Sequence, residues 1–485
     1  MNHRGSDSSE ITFRRREGGY REILLIAYPL IIMSASHTIM QFCDRMFLGL
    51  YSTDAVAAAL PAGVLYFTLF SFFMVNVNFT SALVAQHYGR NDHESCVRAA
   101  WNGFYFALGA AVLILAAIPW LGLALIRHGG HDAAIMEQEL IYYRTLIPSG
   151  ALVCMAGAFS SYFTGQGRTW YVTAVNITAC LINIVLDYVL IFGKFGMPQW
   201  GIAGAGIATT AATGFSMITI FLCFIGQDQR RYPTRRCRRF CPNDIRRLIS
   251  FGSPAGLQCF LEVGGFTAFS FLIGRISPTA MAVTTIVISI NMISFQPLLG
   301  LADGTSILVG QYIGAGRYDI AGRLPYRSWL MAGLYMTAAG AVFLLFPGWL
   351  IGHFTPDTLA PEKLDAMVKT GAALLACIAV YNFFDATKFV FGAGLRGSGD
   401  TRALMLICIC GVWLVMVPGV WLMIVVMKTS IAAVWVFMAA YLGLESAVVF
   451  YRFRTGRWKS IRMIEPELAA VPLESTEAVR QAPAD

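Results

Sequence analysis

Charge is what this sequence has least of. Asp, Glu, Lys and Arg make up 13% of the 485 residues, against 56% apolar residues. A soluble domain carries about 25% charged residues. The shortage excludes an ordinary soluble globular protein and points to a chain that crosses a bilayer many times. Other absences narrow the class. The first twenty residues are polar and basic. They hold no short apolar core followed by a cleavage site, so no cleaved signal peptide is expected. The glycine-rich GAGLRGSGDT at 392–401 is not preceded by a strand pattern and contains no Gly-Lys-Ser/Thr. It does not read as a phosphate loop, so the energy for any transport has to come from an ion gradient or from the solute's own gradient. The eleven cysteines are scattered, and Cys237 and Cys241 in CRRFC have neither a second pair nor a histidine beside them. They read as free cytosolic thiols rather than a zinc site. No dense Asp/His cluster marks an intramembrane enzyme, and no cofactor is expected. The net charge of +8 lies in basic residues between apolar blocks, where it sets topology. Nucleic acid is not an expected partner.

What the chain does contain is apolar blocks long enough to span, roughly 20 residues each. They fall near 22–48, 55–86, 98–126, 139–165, 170–193 and 201–226, then near 248–274, 280–312, 325–352, 367–394, 403–427 and 431–452. The expected fold class is an all-α polytopic membrane protein of twelve transmembrane helices in two sets of six. The expected domains are an N-terminal lobe (1–226), a basic cytoplasmic linker (227–247), a C-terminal lobe (248–464) and a disordered cytoplasmic tail (465–485). Arg14–Arg16, the segment QDQRRYPTRRCRRFCPNDIRR and the Arg/Lys group after the twelfth block are separated by even numbers of crossings. They share one side, which the positive-inside rule makes cytoplasmic. The basic linker also suits anionic lipid head groups.

The two sets are copies of each other. The stretch from Pro29 to Gly49 matches that from Pro254 to Gly274 at an offset of 225. STDAVA at 52–57 pairs with SPTAMA at 277–282, and TSALVAQHYG at 80–89 with TSILVGQYIG at 305–314, still at 225. GQGRT at 165–169 echoes GSGDT at 397–401, now at 232. Equivalent points lie six crossings apart, so the halves enter the membrane in the same direction. They are then related by a pseudo-two-fold axis along the membrane normal. Pro29 and Pro254 occupy matching points where each removes a helical hydrogen bond and permits bending.

Acids inside spans are costly, about 2.5–3.5 kcal/mol at the helix centre on insertion scales. The first copy carries Asp44 in its first span and the second carries Glu262, seven residues earlier in register. Seven residues are almost two turns, so both lie on nearly the same face at depths about 10 Å apart. Asn183 and Asp187 in the fifth span are four apart and share a face. Thr209 and Thr210 follow in the sixth. Carboxylates, an amide and a hydroxyl are oxygen ligands suited to a hard monovalent cation, and Asp44, Asn183, Asp187 and Thr209 are the candidate sodium or proton site. A polar cluster that only glues helices is the plainer reading of Asn183 or Thr209 alone. In the second half Tyr381, Asp385 and Lys388 can share one face of the tenth span. An Asp385–Lys388 internal salt bridge is expected there, leaving Glu262 as the free acid available to trade protons. His37, on the Asp44 side of the first span, and Lys388 are candidate modulators. Glu445 in the last span has no visible partner and no assigned role.

These residues sit in long stretches that resemble one family. The first span with its proline and Asp44, the VAQHYG and VGQYIGAG turns, NIVLDYVLIFG at 183–193, PAGLQCFLEVGGF at 254–266 and DATKFVFGAGLRGSGDTR at 385–402 are similar to the multidrug and toxic compound extrusion (MATE) family. That family lies within the multidrug/oligosaccharidyl-lipid/polysaccharide flippase superfamily. The resemblance implies two six-helix lobes around a central cleft, in the plasma (inner) membrane. It implies secondary active export of drugs or toxic organic cations in exchange for Na+ or H+, by a monomer. It also implies that Asp44, Asn183, Asp187 and Thr209 form a cation site. Glu262, Tyr381 and Asp385 match the second-lobe acids and tyrosine of NorM-like members, and Lys388 departs from that pattern. The competing reading is a flippase of lipid-linked oligosaccharide or polysaccharide precursors, for which several basic residues within spans are expected.

Overall fold

The computed structural model describes residues 18–128, 132–353 and 361–464. The N-terminal Arg14–Arg16 group and the tail expected to be disordered lie outside the described residues. The described chain holds twelve helices long and apolar enough to cross a membrane. In the first half they are α1 (Tyr20–Tyr51), α2 (Thr53–Gly89), α3 (His93–Arg127), α4 (Ala133–Gly165), α5 (Thr169–Phe192) and α6 (Ile202–Ile225). In the second they are α7 (Pro242–Gly274), α8 (Thr279–Gly314), α9 (Tyr318–Leu345), α10 (Asp365–Ser398), α11 (Thr401–Val426) and α12 (Ile431–Arg454).

Proline sets two of the boundaries that depart from the apolar blocks. The ninth block does not run unbroken to residue 352. It ends at Leu345, and Pro347–Gly352 forms a separate short helix. The ring of Pro347 lacks a donor and keeps the residue before it out of the helical region; Phe346 accordingly sits at φ −128°, ψ 42°. The seventh helix begins earlier than its block, at Pro242. A proline there removes only a donor that a first turn leaves unpaired anyway.

Within the first half α4 packs along α2, α3 and α6, and α5 lies between α1 and α6. In the second, α10 packs along α8, α9 and α12, and α11 lies on α7. Between the halves the packing is reciprocal: α1 meets α8, and α7 meets α2. Exchanging each helix for its copy turns one of these pairs into the other, as the pseudo-two-fold requires.

The reciprocity reaches single atoms at the end of the bundle that carries the 227–241 segment, called here the linker end. Gln86 Nε2 donates to the carbonyl of Gly397 at 3.3 Å, and Gln311 Nε2 donates to the carbonyl of Gly165 at 2.8 Å. Gln86 and Gln311 are equivalents at offset 225, and Gly165 and Gly397 at 232. The glycines permit this approach. A Cβ on Gly89 would overlap the Gln311 carbonyl, and one on Gly314 would overlap that of Gln86. Side chains of α1 pack on α8 as far as Ile31 against Gly300. Farther along α1, Ile39, Phe42 and Met46 are exposed. The linker itself is strapped to α3: Trp101 Nε1 donates to the Thr234 carbonyl at 2.8 Å, and Arg98 Nε pairs with Asp244 at 2.9 Å.

The proline bends are supported from the neighbouring helix. Thr169 donates to the Ile26 carbonyl at 3.3 Å and Thr173 to the Pro29 carbonyl at 2.9 Å. In the second half Thr401 donates to the Phe251 carbonyl at 2.7 Å, the copy of the Thr169 bond. The position equivalent to Thr173 is Met405, which has no hydroxyl to offer Pro254.

Candidate functional site: two polar clusters, one in each half

The first cluster joins three helices. Asn183 and Asp187, one turn apart on α5, are fully buried. They face Asp44 of α1 and Thr209 of α6. With its amide nitrogen turned to the acids, Asn183 donates to Asp44 Oδ1 at 3.1 Å and to Asp187 Oδ2 at 3.2 Å, while its oxygen accepts from the Thr209 backbone N–H at 3.3 Å. In the opposite orientation the amide nitrogen reaches Thr209 Oγ1 at 3.4 Å, and the oxygen faces the two acids. The Asp44 and Asp187 carboxyls are themselves in hydrogen-bond contact. Two bare carboxylates in contact repel each other, and a proton or a small cation between them would relieve that repulsion. Asp187 Oδ1 is buried with no hydrogen-bond partner. Orphaned buried acceptors of this kind cost about 1–3 kcal/mol.

The four residues expected to converge are therefore brought together, whatever they bind. Thr210 is not among them; its hydroxyl donates to the Thr145 carbonyl at 2.9 Å. His37 lies nearby but outside, exposed, with its Nδ1 3.3 Å from Gln41 Nε2. The buried Tyr142 of α4 sits beside the acid pair. Its local sequence, ELIYYRTL, has no spacing pattern that ties it to Asp44 or Asp187.

The second cluster corrects the expected pairing. Lys388 does not bridge to Asp385. Its Nζ lies 3.2 Å from Glu262 Oε1 on α7 and 3.0 Å from Glu445 Oε2 on α12. The Lys388 side chain reaches across the bundle, where two carboxylates converge, instead of folding back along its own helix. Glu262, expected to be free, is thus paired, and it also accepts from Gln258 Nε2 at 3.3 Å. Glu445, given no partner from sequence, is the more deeply buried of the lysine's two acids, its side chain 2% exposed. Asp385 is left as the carboxyl without an ion pair or hydrogen bond among the described residues. Tyr381 takes a different partner again: its hydroxyl accepts from Asn291 Nδ2 at 3.2 Å, and its ring stacks on Trp435.

These groups line a cavity of about 210 Å³ in the second half, with Glu262, Tyr381, Asp385, Lys388 and Glu445 on its walls. Phe266, Phe295, Phe389, Trp435 and Met438 are among its apolar and aromatic lining. Such a surface takes an apolar or aromatic body with a charged end.

Two repeated six-span halves, each with carboxyl groups buried inside its own bundle, define a multi-pass membrane transporter. The family model described as MatE matches residues 29–189 and 254–422, so each match begins on the proline that opens a repeat. The chain belongs to the MatE family, a family of transporters and not of enzymes. It is 28% identical over 466 residues to a probable multidrug resistance protein NorM of Pseudomonas syringae pv. tomato, covering 93% of this chain and 97% of the relative. It is 25% identical over 450 residues to a NorM of the same description from Thermotoga maritima, covering 92% and 95%. Among solved structures, an outward-facing multidrug resistance MATE family transporter of the MOP superfamily superposes with a TM-score of 0.84 at 17% identity, covering 94% and 99%. A MOP superfamily transporter from Pyrococcus furiosus superposes at 0.79 with 18% identity, covering 92% and 97%. At these identities the superpositions show the fold.

Proposed function

We propose that this chain is a secondary active multidrug exporter, which moves amphipathic, often cationic, compounds out across the plasma membrane in exchange for a proton or sodium. The observation that carries the coupling is the Asp44–Asn183–Asp187–Thr209 cluster. With the Asn183 nitrogen towards the acids, the arrangement suits a shared proton. Turning that amide presents its oxygen to Asp44 Oδ1 and Asp187 Oδ2 while its nitrogen meets the Thr209 hydroxyl, so oxygen donors of the hard kind that sodium takes converge. The coupling ion is thus read by which way one amide faces.

Transport proceeds by rocking of the lobes, residues 1–226 and 248–464. The cross-lobe glutamine bonds hold the linker end closed, and cation binding on α1, α5 and α6 biases the bend at Pro29. A ligand shifts such an equilibrium only through its difference in affinity between the two states. In this reading both termini and the linker are cytoplasmic, and the protein works as a monomer. Impermeant thiol reagents then reach Cys237 from the cytoplasmic side only. The names of the curated relatives support the multidrug reading. The flippase reading asks for basic groups inside the spans that are free to hold pyrophosphate, and Lys388 is committed to two glutamates.

The test is export of a fluorescent organic cation by the purified protein in proteoliposomes, with sodium and pH gradients imposed separately. Transport that follows one gradient and collapses with it supports the reading. Transport indifferent to both gradients overturns it.

A further inference from the structure

We propose that Lys388 is a tethered counter-ion for the second-half cavity: it fills the place between Glu262 and Glu445 that a mobile cation would otherwise take, and it leaves Asp385 as the carboxyl that receives the charged end of an organic monocation. The proposal rests on the exporter reading only for the class of ligand.

Three carboxyls, Glu262, Asp385 and Glu445, share the cavity wall with one ammonium. The ammonium is 3.2 Å and 3.0 Å from the two glutamates, so both are paired with a group that cannot leave, and it offsets one of their two charges. A buried acid such as Glu445 is tolerated in an apolar bundle only with such a partner. Lys388 Nζ also lies 5.7 Å from the centroid of Phe389, close enough for a cation–π contact. The tether therefore occupies both the anionic position and the nearest aromatic face.

Asp385 is different. It lies one turn before Lys388 on α10 and has no ion pair or hydrogen bond among the described residues, yet it opens on the cavity. The walls nearby include the stacked rings of Tyr381 and Trp435, 6.2 Å apart. A lone carboxyl beside aromatic rings suits a cation whose charge is spread or shielded by apolar groups. A strongly hydrated ion such as sodium gains less there, because the ring faces offer no oxygen ligands and the Tyr381 hydroxyl already accepts from Asn291. The first half contrasts directly, since its acid pair has no lysine tethered to it and is left to a mobile ion.

The experiment uses the full chain in nanodiscs, with no gradient, and reads equilibrium binding of tetraphenylphosphonium together with sodium- or potassium-dependent thermal stabilisation. Asp385→Asn is expected to weaken tetraphenylphosphonium binding about tenfold or more, and Glu262→Gln about threefold or less. Lys388→Met is expected to gain a saturable alkali-cation stabilisation that the parent lacks in this half, and that Lys388→Met/Glu262→Gln loses again. To isolate the second half, all are compared on an Asp44→Asn background. Lys388→Arg keeps the parent's behaviour. If Lys388→Met does not fold, Lys388→Met/Glu445→Gln restores the buried charge balance, and it should show the same gain through Glu262. The proposal is overturned if probe affinity follows Glu262 rather than Asp385, or if neither folded methionine variant gains cation dependence. Because binding is read without transport, these outcomes are separate from whether ion-driven export is observed.

Discussion

The two halves keep the same helix packing and have exchanged almost all the chemistry hung on it. Tyr66 and Ser149 hydrogen-bond at 2.6 Å in the first half. Their equivalents, at offsets of 225 and 232, are Asn291 and Tyr381, bonded at 3.2 Å. The tyrosine has moved to the other helix, and the bond has stayed. The acids went further. The position of Asp44 is taken by Phe269 in the second half, which is buried against Trp435. The second half instead builds its cluster from α7, α10 and α12 and closes it with a lysine. Duplication fixed where helices meet, because interlocked side chains leave a void wherever one helix shifts against its neighbour. Polar groups were free to diverge wherever each found a partner. One half now holds acids joined by an amide, and the other holds acids joined by an ammonium.

The largest expected effect tests that contrast. Asp44→Asn and Asp187→Asn should each reduce ion-driven export to the background of empty vesicles, with the protein still folded and monodisperse. Glu262→Gln should leave ion dependence in place and alter the substrate range, and Asp385→Asn should raise the substrate concentration needed. If the first pair of variants retains full ion-driven export while Glu262→Gln or Asp385→Asn eliminates it, the coupling site is in the second half and the contrast is reversed.

A smaller effect concerns what the halves share. Gln86→Ala and Gln311→Ala each remove one cross-lobe bond, worth about 1 kcal/mol, which is roughly a fivefold shift in a two-state population. Because the two bonds are equivalent, the two variants should shift distances between the lobes at the linker end in the same direction and to a similar extent. Gly89→Leu should shift them further, since its side chain would overlap the Gln311 carbonyl. Pulsed electron-spin distances between labels on the two lobes provide the measurement. A distance distribution unchanged by all three variants would remove the glutamines from the gate.

Much of this architecture was legible in the sequence. Hydropathy located the spans, the offset of 225 paired the halves, and carboxyls in apolar runs marked Asp44, Asp187, Glu262 and Asp385. Helical spacing placed Asn183 and Asp187 on one face. The same spacing misled at Lys388. An (i, i+3) neighbour is within reach, but the lysine has a long stem, and two acids from other helices converge on its end. Glu445 is 57 positions away in the chain, so no local rule connects the two. The glutamines were visible inside the VAQHYG and VGQYIG turns. Their acceptors are backbone carbonyls of the other half, and a carbonyl leaves no mark in a sequence.

The smallest effect lies at a turn where the halves differ in the residue that precedes the helix. Asp92 precedes α3 and accepts from the Ser95 backbone N–H at 2.9 Å, capping the helix. Its equivalent before α9 is Arg317, which makes no side-chain cap. Burial works against ionisation of Asp92, but the His87 ring, 3.6 Å away, and the hydrogen bond from Ser95 outweigh it and hold the carboxyl well below its ordinary range. A carboxyl depressed in the folded state stabilises fully above its unfolded value, about 3.9, and the contribution fades as pH falls towards the folded value. The side chain is 42% exposed, so solvent screens much of the charge contribution. What remains is mainly the cap. Asp92→Ala should cost about 1 kcal/mol at pH 7, and Asp92→Asn, which can still cap, should cost less. In detergent, the gap in melting temperature between parent and Asp92→Asn should narrow as pH is lowered from 7 to about 3.5, because the unfolded parent then begins to take up a proton that the folded carboxylate still refuses. A gap that stays constant over that range would mean that the carboxylate's charge contributes nothing at this turn, and that the two halves differ there in hydrogen bonding alone.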